Sequence, residues 1–551
     1  MKNRFSRYHF LTRSALAGLA LPFGASSALA TAFTWDGGAA DGGRWGNAIN
    51  WTADSGVPNA IGDTASGISG TLVLADSSGA DASFILSSFS KSAGSSTVTI
   101  NNVASGTGKL IFDVASGQAT ITSSLNAGKL MDFRVGIVLN DTLAVTSFSG
   151  ANALRFFNPI TSGAGLTTGL TITGTTTGSS QPVGYVQLMA AATYTGATTV
   201  QGTISTSQAS GAGGGKLLIG GNDFLPTTTV LAVDASSAGG TSVPQGGRFD
   251  LGGFNQTVAG LTGSAGTARG TVTNDVAAAT TGTLTINNTG SHVYNGAISD
   301  AITGGNLGKT ALTKTGTGTQ TLAGTNTYTG ATSVTNGTLV VSGSIAPSAT
   351  TVGSGATLAL SGSGTAGAVT VNSGTFQLGT AGTAGAVVIN AGTFGGAGTV
   401  NSLVFTGAST FGPGNSPGTV IIANGGTFTL GGGTASTFQF TDSGFGVGTF
   451  DLVTTPGTGT GTIAGILNLD FTGSGYTAGT SVTFIDLASI TGTFSSVNVT
   501  GLTGLTATLN YDNALGDVTL TLASAVPEPS TYAVLVGVAG LGVALLRRRR
   551  D

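Results

Sequence analysis

A short repeat of 18 or 19 residues is the feature that most restricts the fold of this 551-residue chain. A Gly-(Ala)-Thr motif precedes an apolar residue that recurs as Leu339, Leu358, Phe376 and Phe394. The apolar β-branched residues that lead these repeats are Val334, Val352, Val371 and Ile389. Each repeat thus begins with an apolar β-branched residue, continues with a turn of Asn, Ser or Gly, and ends with Thr followed by Leu or Phe. This order is typical of strand–turn–strand segments.

This local pattern is compatible with two architectures, a sandwich built of hairpins or a solenoid. The regular step favours the solenoid, because one turn of a parallel β-helix needs about that many residues and stacks on the previous turn at about 4.8 Å. At about 20 residues per coil, we expect on the order of 24 coils in the chain. The composition agrees with this prediction, since the 94 glycines supply turns and only 7% of residues are charged.

A second, longer motif is also repeated. Thr193–Val200 and Thr327–Val334 share seven of eight residues, and Val293–Gly296 is a degenerate third copy. Leu188 and Leu322 each stand six residues before the tyrosine of their motif. The chain from 185 to 430 is therefore predicted to be one repetitive unit.

These repeats resemble the autotransporter-associated β-strand repeat. The match runs from Leu312 through Tyr328 to Leu339, and Leu251–Val258 is similar to the leading half of the same repeat. Pro413–Gly418 resembles a turn of such passenger domains. The resemblance implies an all-β, right-handed parallel β-helix whose role is surface display or adhesion.

The N-terminal segment has the pattern of a secretory signal peptide. A basic stretch is followed by the apolar run Ser14–Phe23 and by an A-x-A site at Ala28 and Ala30, which predicts a mature chain beginning at Thr31. A membrane anchor is the alternative, but about 10 apolar residues are too few to span a bilayer. We therefore expect Sec-type export machinery and signal peptidase as partners.

The C-terminal segment joins three features in a fixed order. Val526–Pro529 is followed by the apolar run Ala533–Leu546 and then by four arginines. By the positive-inside rule this order predicts a short transmembrane helix that stops with its arginines in the cytoplasm. A buried terminal helix is the alternative.

This arrangement resembles the PEP-CTERM sorting domain. The matching positions are Pro527, Glu528, Pro529, Arg547, Arg548, Arg549 and Arg550. The resemblance implies processing by an exosortase, a link to exopolysaccharide, and an inner-membrane intermediate before the cell envelope, the outer surface or the extracellular matrix. Glu528 is the single glutamate of the chain.

All three tryptophans, Trp35, Trp45 and Trp51, lie close together near the predicted mature N-terminus. They suit either an aromatic platform for glycan contact or a cap that seals the first coil, which a solenoid requires. We favour the cap. The predicted organisation is a signal peptide (1–30), a Trp-rich cap (31–64), irregular coils (65–184), β-strand repeats (185–430), a C-terminal β cap or small sandwich (431–523) and the sorting domain (526–551).

Residues suited to catalysis are scarce. There is no cysteine, and the predicted mature chain retains one histidine, His292, in a strand-like segment. Leu312–Leu430 has no acidic residue, and Lys314 is its one charged residue. We therefore predict no enzymatic activity, cofactor or metal, and the net charge of −3 gives no basis for nucleic-acid binding. A β-helix that binds or cleaves polysaccharide is the alternative, because aspartates from different coils could pair.

Overall fold

The structure is a computed structural model. It describes residues 30–52, 56–94, 96–125, 128–148, 153–175, 184–204, 214–234, 244–265, 269–414, 418–431, 436–442, 450–525 and 547–548. Short strands dominate these ranges, together with one 3₁₀ helix, Ala48–Asn50.

The strands are given in chain order. Those up to residue 298 are β1 (Ala32–Thr34), β2 (Arg44–Gly46), β3 (Thr64–Ser66), β4 (Gly70–Asp76), β5 (Phe84–Leu86), β6 (Ser88–Gly94), β7 (Val98–Asn102), β8 (Lys109–Phe112), β9 (Ala119–Leu125), β10 (Leu130–Arg134), β11 (Gly136–Leu139), β12 (Leu143–Phe148), β13 (Ala153–Phe156), β14 (Ile160–Ser162), β15 (Leu170–Thr175), β16 (Tyr185–Leu188), β17 (Thr198–Gln201), β18 (Thr203–Ile204), β19 (Lys216–Ile219), β20 (Val230–Val233), β21 (Pro244–Gln245), β22 (Arg248–Asp250), β23 (Gln256–Val258), β24 (Gly260–Thr262), β25 (Thr271–Thr273), β26 (Thr281–Asn287), β27 (Ser291–Tyr294) and β28 (Ala297–Ile298). Those that follow are β29 (Lys309–Thr315), β30 (Thr319–Leu322), β31 (Thr332–Val334), β32 (Gly337–Val341), β33 (Ser344–Ile345), β34 (Thr350–Val352), β35 (Ala356–Leu360), β36 (Thr365–Ala366), β37 (Val369–Val371), β38 (Thr375–Leu378), β39 (Thr383–Ile389), β40 (Gly392–Gly396), β41 (Gly398–Phe405), β42 (Ser409–Pro413), β43 (Thr419–Ile422), β44 (Thr427–Leu430), β45 (Ser436–Asp442), β46 (Leu452–Thr454), β47 (Thr460–Ile463), β48 (Ile466–Phe471), β49 (Ser481–Asp486), β50 (Ser489–Gly492), β51 (Ser496–Thr500), β52 (Leu505–Asp512) and β53 (Asp517–Ser524).

Strands from successive coils pair in parallel and build long sheets. Sheet I runs β1-β3-β6-β9-β12-β15-β17-β20-β24, and sheet II runs β2-β4-β7-β10-β13-β16-β19-β22-β25-β28. Sheet III is β14-β11-β8-β5, sheet IV extends over 18 strands from β23 to β53, and sheet V runs β27-β30-β32-β35-β38-β40-β42-β45-β48-β51. A parallel bridge between Gly263 and Tyr294 joins the end of sheet I to the start of sheet V. This architecture is the predicted all-β parallel β-helix, and the sandwich alternative is wrong.

The short step predicted from the sequence is the spacing between paired strands. Leu339 pairs with Leu358, Leu358 with Phe376, and Phe376 with Phe394. The leading apolar residues pair in the same way in sheet IV: Val334, Val352, Val371 and Ile389. Both columns point inward and are buried. Gly337 adopts a positive φ of 63° at the predicted Asn-Gly turn, a conformation that glycine adopts without steric cost.

Edge-to-face and tilted contacts between phenylalanine rings extend one of these columns along the core. The ring centroids of Phe376 and Phe394 lie 5.5 Å apart, those of Phe394 and Phe411 5.5 Å, and those of Phe411 and Phe438 4.8 Å. Full burial of each such side chain is worth about 1.5–3 kcal/mol. The core is therefore a continuous apolar column that each coil extends by one layer.

The repeated Thr-Tyr-Thr-Gly-Ala-Thr motif forms a buried hydroxyl network. The Tyr328 hydroxyl lies 2.6 Å from Thr332 Oγ1, which lies 2.8 Å from Ser348 Oγ. Ser348 in turn donates to the Gly330 carbonyl at 2.8 Å. The same chain of contacts occurs in the first copy of the motif, among Tyr194, Thr198, Thr229 and Gly196. The degenerate copy has Ile298 in place of this threonine, and its Tyr294 hydroxyl donates to the Gly270 carbonyl instead.

Coil length varies more than the short repeat suggests. In the early coils, Phe133 pairs with Phe156 and Val186 pairs with Leu217, and both steps are longer than the repeat. The nine strands of sheet I and the ten of sheet V give fewer levels in the described chain than the sequence predicted. The reason is that most coils are longer than the short repeat on which the prediction was based.

The region after residue 431 differs from the separate cap or sandwich that the sequence suggested. Parallel stacking continues there, with Phe438 paired to Leu467 and Leu467 paired to Val497. These steps are much longer than the short repeat, so its period disappears although the solenoid does not. Among the described strands of this region, antiparallel pairing is made by the hairpin β52–β53, which also pairs with β49.

The predicted C-terminal transmembrane helix, Ala533–Leu546, lies outside the described residues. Arg547 and Arg548 are described, and both are helical and exposed. In the part of the chain that the structure describes, no helix combines the length and apolar character needed to cross a membrane.

Candidate functional site: a charged face on sheet II

Outward-facing side chains of neighbouring strands in sheet II form one charged surface, here called the charged face. Strand register places Asp132 beside Arg155, and Tyr185 beside Lys216, which lies beside Arg248. The residues that define this face are Asp132, Arg134, Arg155, Phe157, Tyr185, Lys216, Arg248, Asp250 and Asp275. Four ion pairs lie on it. The surface stands out because the chain as a whole is only 7% charged.

Asp132 holds two arginines at one end of the charged face. Arg155 binds it through two hydrogen bonds, Nε to Oδ1 at 2.7 Å and a terminal nitrogen to Oδ2 at 2.8 Å. Arg134 lies 3.4 Å from the same carboxylate. The hydrogen bond to Asp132 raises the pKa of the Arg155 guanidinium above its ordinary value. One carboxylate between two guanidinium groups leaves a local surplus of one positive charge.

Two further ion pairs continue the charged face along the rod. Lys216 Nζ lies 2.8 Å from Asp250 Oδ2, and Arg248 pairs with Asp275. Burial lowers the pKa of both Lys216 and Arg248, and the Asp250 charge opposes this shift. The Asp275 backbone amide donates to Asp250 Oδ1 at 3.0 Å, which ties the two pairs together.

Three cations of the charged face lie over aromatic rings. The guanidinium carbons of Arg134 and Arg155 lie 4.8 and 5.1 Å from the centre of the Phe157 ring. Lys216 Nζ lies 5.7 Å from the centre of the Tyr185 ring. These distances are in the range of cation–π contact, which holds the long side chains against the sheet. The Arg134 side chain remains 52% exposed, compared with 24% for Arg155.

The charged face supplies fixed, oriented charge rather than a reactive group. Glycoside hydrolysis uses one carboxyl group as acid and a second as base or nucleophile. On this surface Asp132 is bound to Arg155 and Arg134, Asp250 to Lys216, and Asp275 to Arg248. Positive charge stacked on aromatic rings suits contact with an anionic polymer.

Sequence reasoning missed this surface because its partners lie far apart in the chain. Asp132 and Arg155 are brought together by a coil that is longer than the repeat recognised in the sequence. The signal that could have located the surface is the alternation within β10, β13 and β16, where polar residues alternate with buried Met, Leu, Phe and Val.

The three tryptophans are brought together, but inside the molecule. Trp45 and Trp51 are fully buried and Trp35 is 7% exposed. The centroid of the Trp51 ring lies 5.1 Å from that of Trp35 and 5.0 Å from that of Trp45. Trp45 also stacks on Phe89. Rings packed in this way offer no face to a sugar, so this geometry fits the cap and not the glycan platform.

Of the predicted N-terminal processing residues, Ala30 and Thr31 are described, and they lie at the start of the rod. Ala28 is outside the described residues, and Ala30 is exposed. The Thr31 backbone nitrogen donates to Asp63 Oδ1 at 3.0 Å. Asp63 is buried and also accepts the backbone amides of Asn59 and Ala60. At the other end of the chain, five of the predicted sorting residues lie outside the described part: Pro527, Glu528, Pro529, Arg549 and Arg550.

The remaining titratable candidates have structural surroundings. His292 pairs with Gln320 in sheet V and its ring packs against Gly260. Lys314 is fully buried, and its ammonium group donates to the carbonyls of Thr315, Gly316 and Asn336. Within the described ranges, no cluster of three or more His, Cys, Asp or Glu could hold a metal ion.

Two segments of this β-helix are similar to a known repeat family. Residues 184–202 and 312–341 match the family model of the passenger-associated-transport-repeat. Both segments contain strands that pair in parallel with the coils beside them.

Among solved structures, the Haemophilus influenzae Hap adhesin aligns with 84% of this chain, at 12% sequence identity and a TM-score of 0.25. The alignment spans 64% of the length of that adhesin. No curated protein sequence matches the chain.

Proposed function

We propose that this chain is an exported, non-enzymatic β-helix that serves as a structural or adhesive component of the cell surface or extracellular matrix. The observation that carries this proposal is the parallel stacking of coils from β1 to β51, two segments of which match a passenger-type repeat. Such a rod satisfies its backbone hydrogen bonds internally and holds an extended surface away from its point of attachment.

The proposed route to the surface uses both chain ends. A signal peptidase cleaves after Ala30, and an exosortase-type protease acts at Pro527-Glu528-Pro529 while Ala533–Leu546 lies in the inner membrane. Arg547–Arg550 keep the end of that helix in the cytoplasm. Support for this route comes from the residue pattern of the two segments.

Fractionation combined with terminal mass spectrometry tests this route. We expect a mature N-terminus at Thr31 and release of the wild-type protein from the inner membrane. Replacing Pro527, Glu528 and Pro529 by alanine should retain the protein in that membrane. A matched triple alanine replacement at Ser530, Thr531 and Tyr532 serves as the control. Unchanged release of the first variant would overturn the sorting proposal.

The surroundings of Thr31 support the proposed cleavage position. Cleavage there converts a peptide nitrogen that already lies 3.0 Å from the buried Asp63 carboxylate into a positively charged ammonium group. We expect this ion pair to stabilise the first coil. An Asp63→Asn substitution should then lower the unfolding temperature more in the processed chain than in one extended by an uncleaved leader. Equal losses in the two chains would contradict the expectation.

A second candidate function, binding of an acidic polysaccharide, is favoured by the surplus cation of the charged face. Arg134 is the most exposed member of its ion-pair cluster and is stacked on Phe157. We expect Arg134→Ala to weaken binding to alginate several-fold, while Lys109→Ala, at an exposed lysine of sheet III, leaves it unchanged. Alginate bound equally by both variants would exclude the charged face as the site. Release of reducing ends or unsaturated sugars would instead identify a polysaccharide-cleaving enzyme.

A further inference from the structure

Among the described residues, the last strand of sheet V, β51, is an edge strand. It pairs with β48 on one side, and sheet V ends with it. All five of its residues are exposed. Natural sheets block such edges with charged residues, proline or a covering segment, because the unpaired N–H and C=O groups of an edge strand can bind another strand. Neither a charged residue nor a proline occurs between Phe494 and Leu502.

The core column opens to solvent at this edge. Val497 and Val499 lie in register with Leu467 and Leu469, which are buried. The two valines are nevertheless each 40% exposed, since no described coil of sheet V follows them. Their apolar surface is thus presented next to unpaired backbone groups.

On the outer face, an amide ladder ends at the same strand. The Asn468 side-chain amide donates to Gln439 Oε1 at 3.2 Å, and the Asn498 amide donates to Asn468 Oδ1 at 2.8 Å. Asn498 is exposed, so the ladder can be continued by one more amide side chain on an added strand.

The sequence of this segment is nearly symmetric about Asn498. Val497 and Val499 flank it, followed by the hydroxyl pair Ser496 and Thr500. The small residues Ser495 and Gly501 come next, and then the apolar pair Phe494 and Leu502. In an antiparallel pair of two such strands centred on Asn498, each residue therefore meets one of its own kind.

We propose that β51 is a self-association site, at which two copies of this chain join tail to tail. The two β51 strands pair antiparallel about a two-fold axis at Asn498, so that sheet V continues from one rod into the next. Val497 of each copy meets Val499 of the other on the core face, and the two Asn498 side chains meet on the outer face. This is an isologous interface, with one patch used by both copies.

A single cysteine tests this geometry cleanly, because the chain has none of its own. Residues directly opposite in an antiparallel pair have Cα atoms about 4.5–5.5 Å apart, within disulfide range. Asn498→Cys in the full chain should therefore form a disulfide-linked dimer under mild oxidation. Asn468→Cys is the matched control, since its two copies would be about 14 Å apart, three strand spacings, and cannot be bridged.

Charge substitutions give an independent readout. Asn498→Lys and Asn498→Asp should each raise the dissociation constant of the dimer at least tenfold, because like charges repel each other across the two-fold axis. Light scattering measures this constant. Mixing the two variants should restore dimers that contain one copy of each. A monomeric wild type, equal cross-linking of Asn468→Cys, or failure of the mixture to associate would each overturn the proposal.

Discussion

At the residue scale, polar groups inside this rod are tied to backbone or to one another. The Tyr328–Thr332–Ser348 chain ends on a carbonyl of the preceding coil, and the buried Lys314 is surrounded by three carbonyls. Burying such groups without partners would cost several kcal/mol. The repeat motif therefore preserves hydrogen bonding in the core as well as strand propensity.

The tyrosine of the repeat provides a test of this network. Tyr328→Phe removes the hydroxyl that lies 2.6 Å from Thr332 Oγ1 and should cost about 0.5–1.5 kcal/mol of unfolding free energy. Tyr185→Phe, on the outer and partly exposed side of sheet II, should change it by less than about 0.5 kcal/mol. Urea titration of both variants measures the difference. A larger loss for Tyr185→Phe would show that the network contributes little.

Lys314 gives a pH dependence with a definite sign. Burial lowers its pKa from 10.5 to about 8 in the folded chain. Between pH 8 and about 10 the unfolded chain therefore binds more protons at this site, and stability rises with pH. Relative to Lys314→Met, the wild type should gain stability across that window in urea titrations. A difference between the two proteins that stays constant from pH 8 to about pH 10 would contradict this prediction.

At the element scale, coil length sets which residues become neighbours. Where coils follow the short repeat, apolar residues align as the sequence predicts. Longer coils bring Asp132 to Arg155 and Lys216 to Tyr185 across intervening loops of unequal length. The charged face is thus a product of strand register between coils.

Ion pairing on the charged face should contribute unequally to stability. Arg155→Ala removes both hydrogen bonds from a largely buried carboxylate, and we expect a loss of about 3 kcal/mol. Arg134→Ala removes a more exposed and more distant partner, and should cost less than about 1 kcal/mol. Thermal or urea unfolding of the two variants compares them. Equal effects would mean that Asp132 is held mainly by other groups.

At the scale of the whole molecule, the rod depends on backbone pairing and an apolar core rather than on charge. The ion pairs of the charged face all lie on one side of sheet II. Parallel ladders and stacked Phe, Leu and Val columns extend throughout the described coils. Each coil therefore contacts mainly the coils next to it, which is characteristic of solenoids.

Salt dependence follows from this distribution. Raising NaCl from about 0.05 to about 0.5 M screens exposed charges but leaves backbone ladders and buried contacts largely unaffected. We expect the thermal midpoint of the wild type to change by less than about 3 °C, as measured by circular dichroism. A decrease of about 10 °C would show that the charged face, rather than the core, limits stability.

The sequence by itself predicted the repetitive β-helix of residues 185–430, because the equal spacing of Val, Leu and Phe from Val334 to Phe394 can be read without knowledge of distant contacts. The cap at Trp35, Trp45 and Trp51 stays a prediction from the sequence. Tertiary structure decided where the solenoid continues beyond residue 431, since the longer steps there have no local signature. It also created the charged face and the open edge at β51. Both depend on register between strands that are far apart in sequence, and that register is fixed only when the coils stack.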